Sequence, residues 1–172
     1  STRKTADYTA VVIIGIDSDN NIYVLDVDRF RTDKISTMFE RLLAMHSKWD
    51  FRKLRAEVSV AQQAIVNEFR NYMKQYGVYF SIDEYRPSRH EGTKEERMDS
   101  VLTPRYENLA IWHYKGGYCQ VLEDEVLASR PPHDDIKDAL ANAIAIARPP
   151  MQRMRRTGGT NVVQAGSRFG GF

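Results

Sequence analysis

Little in this chain offers thiolate or disulfide chemistry. Cys119 is its sole cysteine, which excludes a disulfide framework and a cysteine-based zinc cluster. The four histidines, His46, His90, His113 and His133, are scattered. None stands in a His-Glu-x-x-His spacing, which argues against a zinc hydrolase. No Gly-x-x-x-x-Gly-Lys-Ser/Thr loop is present, so ATP hydrolysis is not expected of these residues. No apolar run approaches the roughly 18 residues of a membrane helix, and no secretory leader is recognisable. A reducing, cytoplasmic setting is the expectation. The chain opens on Ser1 rather than Met, which reads as a fragment or a processed product.

What is present suits one globular domain. With 172 residues, 42% hydrophobic and 28% charged, the chain is long enough to bury a core. The net charge of +2 conceals an asymmetry, because residues 148–172 carry five arginines and no acid. The preceding body is therefore net acidic. Residues 1–150 read as the folded unit. Residues 151–172, with Gly158-Gly159 and Gly170-Gly171 set among Arg and Ser, read as a basic, disordered tail. No internal repeat is evident.

Val11 to Ile16 is a continuous β-branched run, Asp17 to Asn21 a turn cluster, and Ile22 to Val27 a second strand. Together they predict a β-hairpin, buried on both faces because its apolar residues do not alternate. A helical period starts at Asp33, with Thr32 or Asp33 as the cap. Lys53 to Glu57 reads as a short strand ending in an acid. A long amphipathic helix follows, stopped by Gly77. Val78 to Ile82 is the next strand and residues 83–93 a polar loop. A helix is expected over Lys94–Leu102, ended by Pro104, then a strand at Leu109–Tyr114. Helices are expected over Val121–Ala128 and from about Asp134 to Ala147. The order β-β-α-β-α-β predicts an α/β fold, a mixed sheet flanked by helices. The ribonuclease H-like architecture has this order but opens with three antiparallel strands, and only two are present here.

Three acidic positions stand out: Asp7, Glu57, and the run His133-Asp134-Asp135-Ile136-Lys137-Asp138. Each sits beside a strand or a helix start rather than in a charged surface run. Acids delivered by separate elements can converge on a divalent cation, and hard cations such as Mg²⁺ take oxygen ligands. Asp135 and Asp138 share a helix face and are read as ligands, with Asp134 as the helix cap. Which of Asp134 and Asp135 is the ligand stays open at this point. Asp17 is an alternative to Asp7, since Val-Ile-Ile-Gly-Ile-Asp can itself be a strand ending in an acid. His133 is read as structural. Arg86, Arg89, Lys94 and Arg97 form the densest group of cations, and phosphate contact is expected there. Arg52, Lys53, Arg55 and Lys115 are more scattered.

At these residues the chain resembles the nuclease domain of the large terminase subunit of tailed bacteriophages, over roughly residues 5–147. Ala-Asp-Tyr-Thr-Ala-Val-Val (6–12) resembles the segment after the family's first catalytic strand. Ile-Tyr-Val-Leu-Asp-Val-Asp-Arg-Phe-Arg (22–31) resembles the next strand, and Arg-Ala-Glu (55–57) the strand ending in the central acid. Thr-Lys-Glu-Glu-Arg-Met (93–98) is similar to a Lys-x-x-Arg stretch. Pro-Pro-His-Asp-Asp-Ile-Lys-Asp-Ala-Leu (131–140) resembles the closing motif.

The resemblance implies a ribonuclease H-like fold and a metal-dependent endonuclease that cuts concatemeric double-stranded DNA during genome packaging. It implies two Mg²⁺ or Mn²⁺ ions on Glu57, Asp138, Asp135 and Asp7. It also implies partnership with duplex DNA, the portal protein, the small terminase subunit and the ATPase domain of the full-length protein, in the host cell cytoplasm and with no membrane. The family's opening strand carries a catalytic Asp ahead of the Asp-Tyr segment. That strand is not found here, so the isolated chain is expected to be weak or inactive. The alternatives are another ribonuclease H-like nuclease, of resolvase or transposase type, and a non-catalytic DNA- or protein-binding domain.

Overall fold

The computed structural model describes residues 7–151. The expected basic tail at 152–172 lies outside the described residues. Strands β1 (Thr9–Ile16) and β2 (Ile22–Phe30) form the expected hairpin, antiparallel throughout, with a register shift between Ile13 and Ile14. The turn between them is closed by Asp17. Its carboxylate accepts the backbone N–H groups of Asp19 and Asn21, the Asn21 side-chain amide and the Tyr23 hydroxyl. Helix α1 (Ile35–Trp49) starts two residues later than the periodicity predicts, because Thr32 Oγ1 accepts the Lys34 N–H in a turn ahead of it. Strand β3 (Lys53–Glu57) matches the expectation. A short 3-10 turn at Val60–Gln62 then leads into α2 (Gln63–Tyr76). Gly77 ends α2 in the left-handed conformation (φ 65°), where a Cβ would be strained.

Strand β4 (Ser81–Tyr85) lies three residues further along than predicted and pairs in parallel with β3 over its whole length. The apolar segment before it serves the core instead, with Phe80 buried among Phe39, Phe51 and Phe69. Helix α3 (Lys94–Glu107) runs through Pro104, contrary to the expected break. The bond that proline omits would go to the carbonyl of exposed Ser100, which water can satisfy, so the ring is tolerated in the last turn. The strand expected over Leu109–Tyr114 shrinks to β5 (Ile111–Trp112), parallel to β2. Helix α4 (Tyr118–Leu127) begins directly after Gly116 and Gly117, both at positive φ. Helix α5 (Asp135–Ile146) closes the described body.

These strands make two sheets, β1-β2-β5 and β3-β4. Side chains alternate across β1. Val12, Ile14 and Ile16 join Met98, Leu122, Ile136 and Leu140 in a core with α3, α4 and α5. Ile13 points the other way, into a core with Phe39, Leu42, Phe69 and Met73 of α1 and α2. Helix α5 packs on both β1 and β3 and so spans the two sheets. Among the described residues, β1 and β3 each pair along one edge only. Their free edges line a common cavity of about 450 Å³, walled by residues 8–14 on one side and 53–58 on the other. Phe69 and Leu42 lie on one face of this slot, and Ala139 and Ala143 of α5 on the other.

Candidate active site

The slot is lined mainly by apolar side chains, and Glu57, Asp135 and Asp138 are the acids on its wall. Glu57 is the last residue of β3. The ladder continues one bond beyond it, Val58 N–H to the Tyr85 carbonyl at 2.9 Å, which fixes the backbone. The Ser59–Gln62 capping box then turns the chain into the 3-10 turn and leaves the Glu57 side chain at the strand end.

Asp135 and Asp138 come from the first turn of α5, and the way that turn is held was not anticipated. Asp134 occupies the N-cap position, but its side chain makes no capping bond, so the expectation that it caps the helix is corrected. The cap is supplied from α4. Glu125, only 3% exposed, accepts the Lys137 N–H at 2.8 Å. Its other oxygen meets Arg29 of β2 at 3.4 Å. Burial pushes the Glu125 carboxyl up, against the pull of the Lys137 N–H and the Arg29 charge. Glu125 stands one helical step from buried Cys119 and Leu122, on the i, i+3 stripe that packs inward. That placement was the available signal.

Asp134 is thereby free to pair with Lys94 of α3, whose Nζ lies 2.8 Å from Asp134 Oδ1 and 3.4 Å from Asp138 Oδ2. The Thr93–Glu96 capping box opens α3, so Lys94 and Arg97, at i and i+3, face the acids together. Arg97 stands 3.6 Å from Glu57 Oε1. Asn142, one turn beyond Asp138, donates to Asp138 Oδ1 at 3.5 Å and also acts on Glu57. Sequence reading missed it. On an Ala- and Ile-rich helix a single Asn carries little signal.

The electrostatics tie Glu57 and Asp138 into one site. Burial raises the Glu57 carboxyl and the charge of Asp138 raises it further, with Arg97, Lys94 and Asn142 pulling the other way. Burial likewise raises Asp138, opposed by Lys94 and reinforced by Asp134. Burial alone would lower the Lys94 ammonium, but its hydrogen bond to Asp134 and the charge of Asp138 hold it above its usual value. Asp135 turns aside, with Oδ2 3.9 Å from His133 Nδ1.

The remaining expected residues lie apart. Asp7 is exposed ahead of β1 and has no ion pair or hydrogen bond among the described residues. Asp17 is occupied by its turn, where hydrogen bonds from Asn21, Tyr23 and Asp19 outweigh burial and hold it below the ordinary carboxylate range. Of the four cations expected at phosphate, Lys94 and Arg97 adjoin the acids. Arg86 instead hydrogen-bonds Gln63, and Arg89 is exposed on a 3-10 turn. Arg55 pairs with Asp83 at 2.6 Å.

Among the described residues, no three of His, Cys, Asp and Glu are gathered as a ready metal-binding group. The Lys94 ammonium stands beside both Asp134 and Asp138, where a cation would otherwise be drawn. The donors present are oxygen-only and the charge of Asp138 raises the Glu57 carboxyl, which fits a hard divalent cation better than zinc.

No curated protein matches this chain. No helix among the described residues is long and apolar enough to cross a membrane. A family model described as Terminase Bacteriophage T7, Ribonuclease H-like domain matches residues 2–109. That span includes Glu57, Lys94 and Arg97 and stops short of α5. Covering more than half of the chain, the match shows that the protein belongs to the ribonuclease H-like domain family of the bacteriophage T7 terminase.

Proposed function

We propose that residues 1–150 form the nuclease domain of a phage large terminase subunit, which hydrolyses the backbone of concatemeric double-stranded DNA during packaging. The observation that carries this reading is the meeting of Glu57 and Asp138. A strand end and a helix start, far apart in sequence, bring two carboxylates together at partial burial, where each would be better accommodated beside a cation. Family membership supplies the prior for nuclease chemistry.

Glu57 and Asp138 would hold Mg²⁺ or Mn²⁺, with Asp135, which lines the same slot, assisting. Two bound ions supply Lewis acidity toward the scissile phosphate and a lowered pKa for the attacking water. Asn142 orients Asp138. Arg97 and Lys94 balance the negative charge of Glu57, Asp134 and Asp138, and with a cation on the acids Lys94 would be available to a substrate phosphate. The slot is bordered by β1 and β3, each paired on one edge only among the described residues, which supports a reading in which a further strand would lie between them. An acid on such a strand near Glu57 would complete the ligand set. The partners implied are duplex DNA, the portal, the small terminase subunit and an ATPase domain, in the host cytoplasm.

The test is nicking of supercoiled plasmid in Mn²⁺ by this chain and by a version extended with its upstream-encoded residues, each beside a Glu57→Ala control. Cleavage confined to the extended protein and lost in the variant supports both site and strand. Cleavage by neither favours a second reading, a non-catalytic DNA-binding module. The Lys94 ammonium already lying against Asp134 and Asp138 is the observation on that side.

A further inference from the structure

A second cationic element borders the same site from β2. Tyr8, just ahead of β1, lines the slot alongside Glu57, Asp135 and Asp138. Two guanidinium groups lie over its ring, Arg29 at 4.1 Å and Arg31 at 3.8 Å from the centroid. Arg29 in β2 and Arg31, just past the strand's end, are i and i+2, and both reach the same ring. The ring edge of Tyr8 meets His133 at 5.0 Å, and His133 in turn stands beside Asp135. Arg31 is thus one aromatic ring away from the acid cluster.

The two arginines are not equivalent. Arg29 is largely buried and paired with Glu125, and the Tyr118 hydroxyl holds its backbone carbonyl at 3.0 Å. Arg31 is exposed and has no carboxylate partner among the described residues. Lys94 and Arg97 already answer to Asp134, Asp138 and Glu57, whereas the charge of Arg31 has no carboxylate partner among the described residues and is open to an anion. Stacking on Tyr8 holds the planar fork in place, so little rotamer freedom is lost when it binds a phosphate.

We propose that Arg31, seated on Tyr8, grips a backbone phosphate of the DNA strand and sets that strand across the acid cluster, with Arg29 as its fixed support. This rests on the nuclease reading for the identity of the ligand. The contact is to phosphate, so it adds affinity without sequence preference.

The experiment is fluorescence anisotropy of the full chain with short duplexes of unrelated sequence, in EDTA, over a salt series. Arg31→Ala, Arg31→Lys and Tyr8→Leu are compared with the unaltered protein after matched thermal melts establish folding. Arg31→Ala is expected to bind roughly tenfold more weakly at low salt on every duplex. Its log–log salt slope should be smaller by about 1. Arg31→Lys should keep the slope, and Tyr8→Leu should weaken binding while leaving the slope nearly unchanged. An Arg31→Ala protein with unaltered affinity and slope overturns the proposal, as does an unaltered chain that binds no duplex. The two readings fail separately. Glu57-dependent cleavage with an unchanged KM in Arg31→Ala keeps the nuclease and removes Arg31. Arg31-dependent binding without cleavage by the extended protein does the reverse.

Discussion

Replacing Glu125 with alanine tests how the acid-bearing turn of α5 is held. The carboxylate joins three elements, accepting the Lys137 N–H of α5 at 2.8 Å and meeting Arg29 of β2 at 3.4 Å from its place on α4. Alanine removes the helix cap, about 1 kcal/mol. It also leaves the Arg29 guanidinium, 16% exposed, without its carboxylate. Breaking a buried pair from one side costs about 3–5 kcal/mol. Three features reduce that figure. The pair is long, and Arg29 keeps its contact with Tyr8. Burial also holds the Glu125 carboxyl above its ordinary range, so removing it recovers some desolvation cost. A net loss of about 3 kcal/mol is the reasonable sum. In a body of this size Tm should fall by roughly 6–12 °C. Glu125→Gln keeps an acceptor for Lys137 and loses the charge, so about half that drop is expected. The assay is thermal unfolding followed by circular dichroism at pH 7 in EDTA. A Tm for Glu125→Ala within about 2 °C of the unaltered protein would refute the reasoning and leave packing of Ile136, Leu140 and Ile144 as the support of α5.

Three further predictions concern the site and its surroundings. Both Glu57 and Asp138 have folded-state carboxyls raised above their ordinary values, so the folded state holds protons longer than the unfolded one. Metal-free stability should therefore fall as pH rises from the ordinary carboxylate range through the raised values. Melts of Asp138→Asn should show a gain over the unaltered protein at pH 7 that vanishes near about pH 4, and a pH-independent difference would contradict this. Lys94→Met removes the positive charge that restrains both acids, so NMR titration should find Glu57 and Asp138 protonating at higher pH than in the unaltered chain. Asp17→Ala loses four hydrogen bonds of the β1–β2 turn and should lower Tm by a few degrees while leaving Mn²⁺ binding unaltered; a loss of metal binding would move the site to that turn.

The elements that sequence made legible are those with an unbroken local pattern. The β-branched run of β1, the acid-terminated β3 and the Ala- and Ile-rich α5 all lie where the local pattern puts them. Glu57 and Asp138 could be singled out because each follows directly from where an element ends or begins. Features set by tertiary packing were not legible. Glu125 sits among acids on α4, and its burial depends on Arg29 and the α5 backbone, both remote in sequence. The apolar Val78–Phe80 segment reads as a strand but is consumed by the aromatic core, so β4 starts later on more polar residues. Pro104 reads as a stop, yet the lost bond faces solvent and the helix continues. Arg86 and Arg89 stand close to Lys94 and Arg97 in sequence, but among the described residues Lys94 and Arg97 pair with the site acids while Arg86 meets Gln63, a distinction that only packing makes.

If Glu57 and Asp138 share one divalent-cation site, each needs the other to hold the ion. Calorimetric titration of Mn²⁺ into the unaltered protein, Glu57→Gln, Asp138→Asn and the double variant tests it most directly, because residues on one ion cannot contribute independently. Either single change should remove most of the Mn²⁺ affinity, with the double variant little worse than the singles. Losses that simply add, or Mn²⁺ binding unaffected by either change, would contradict it.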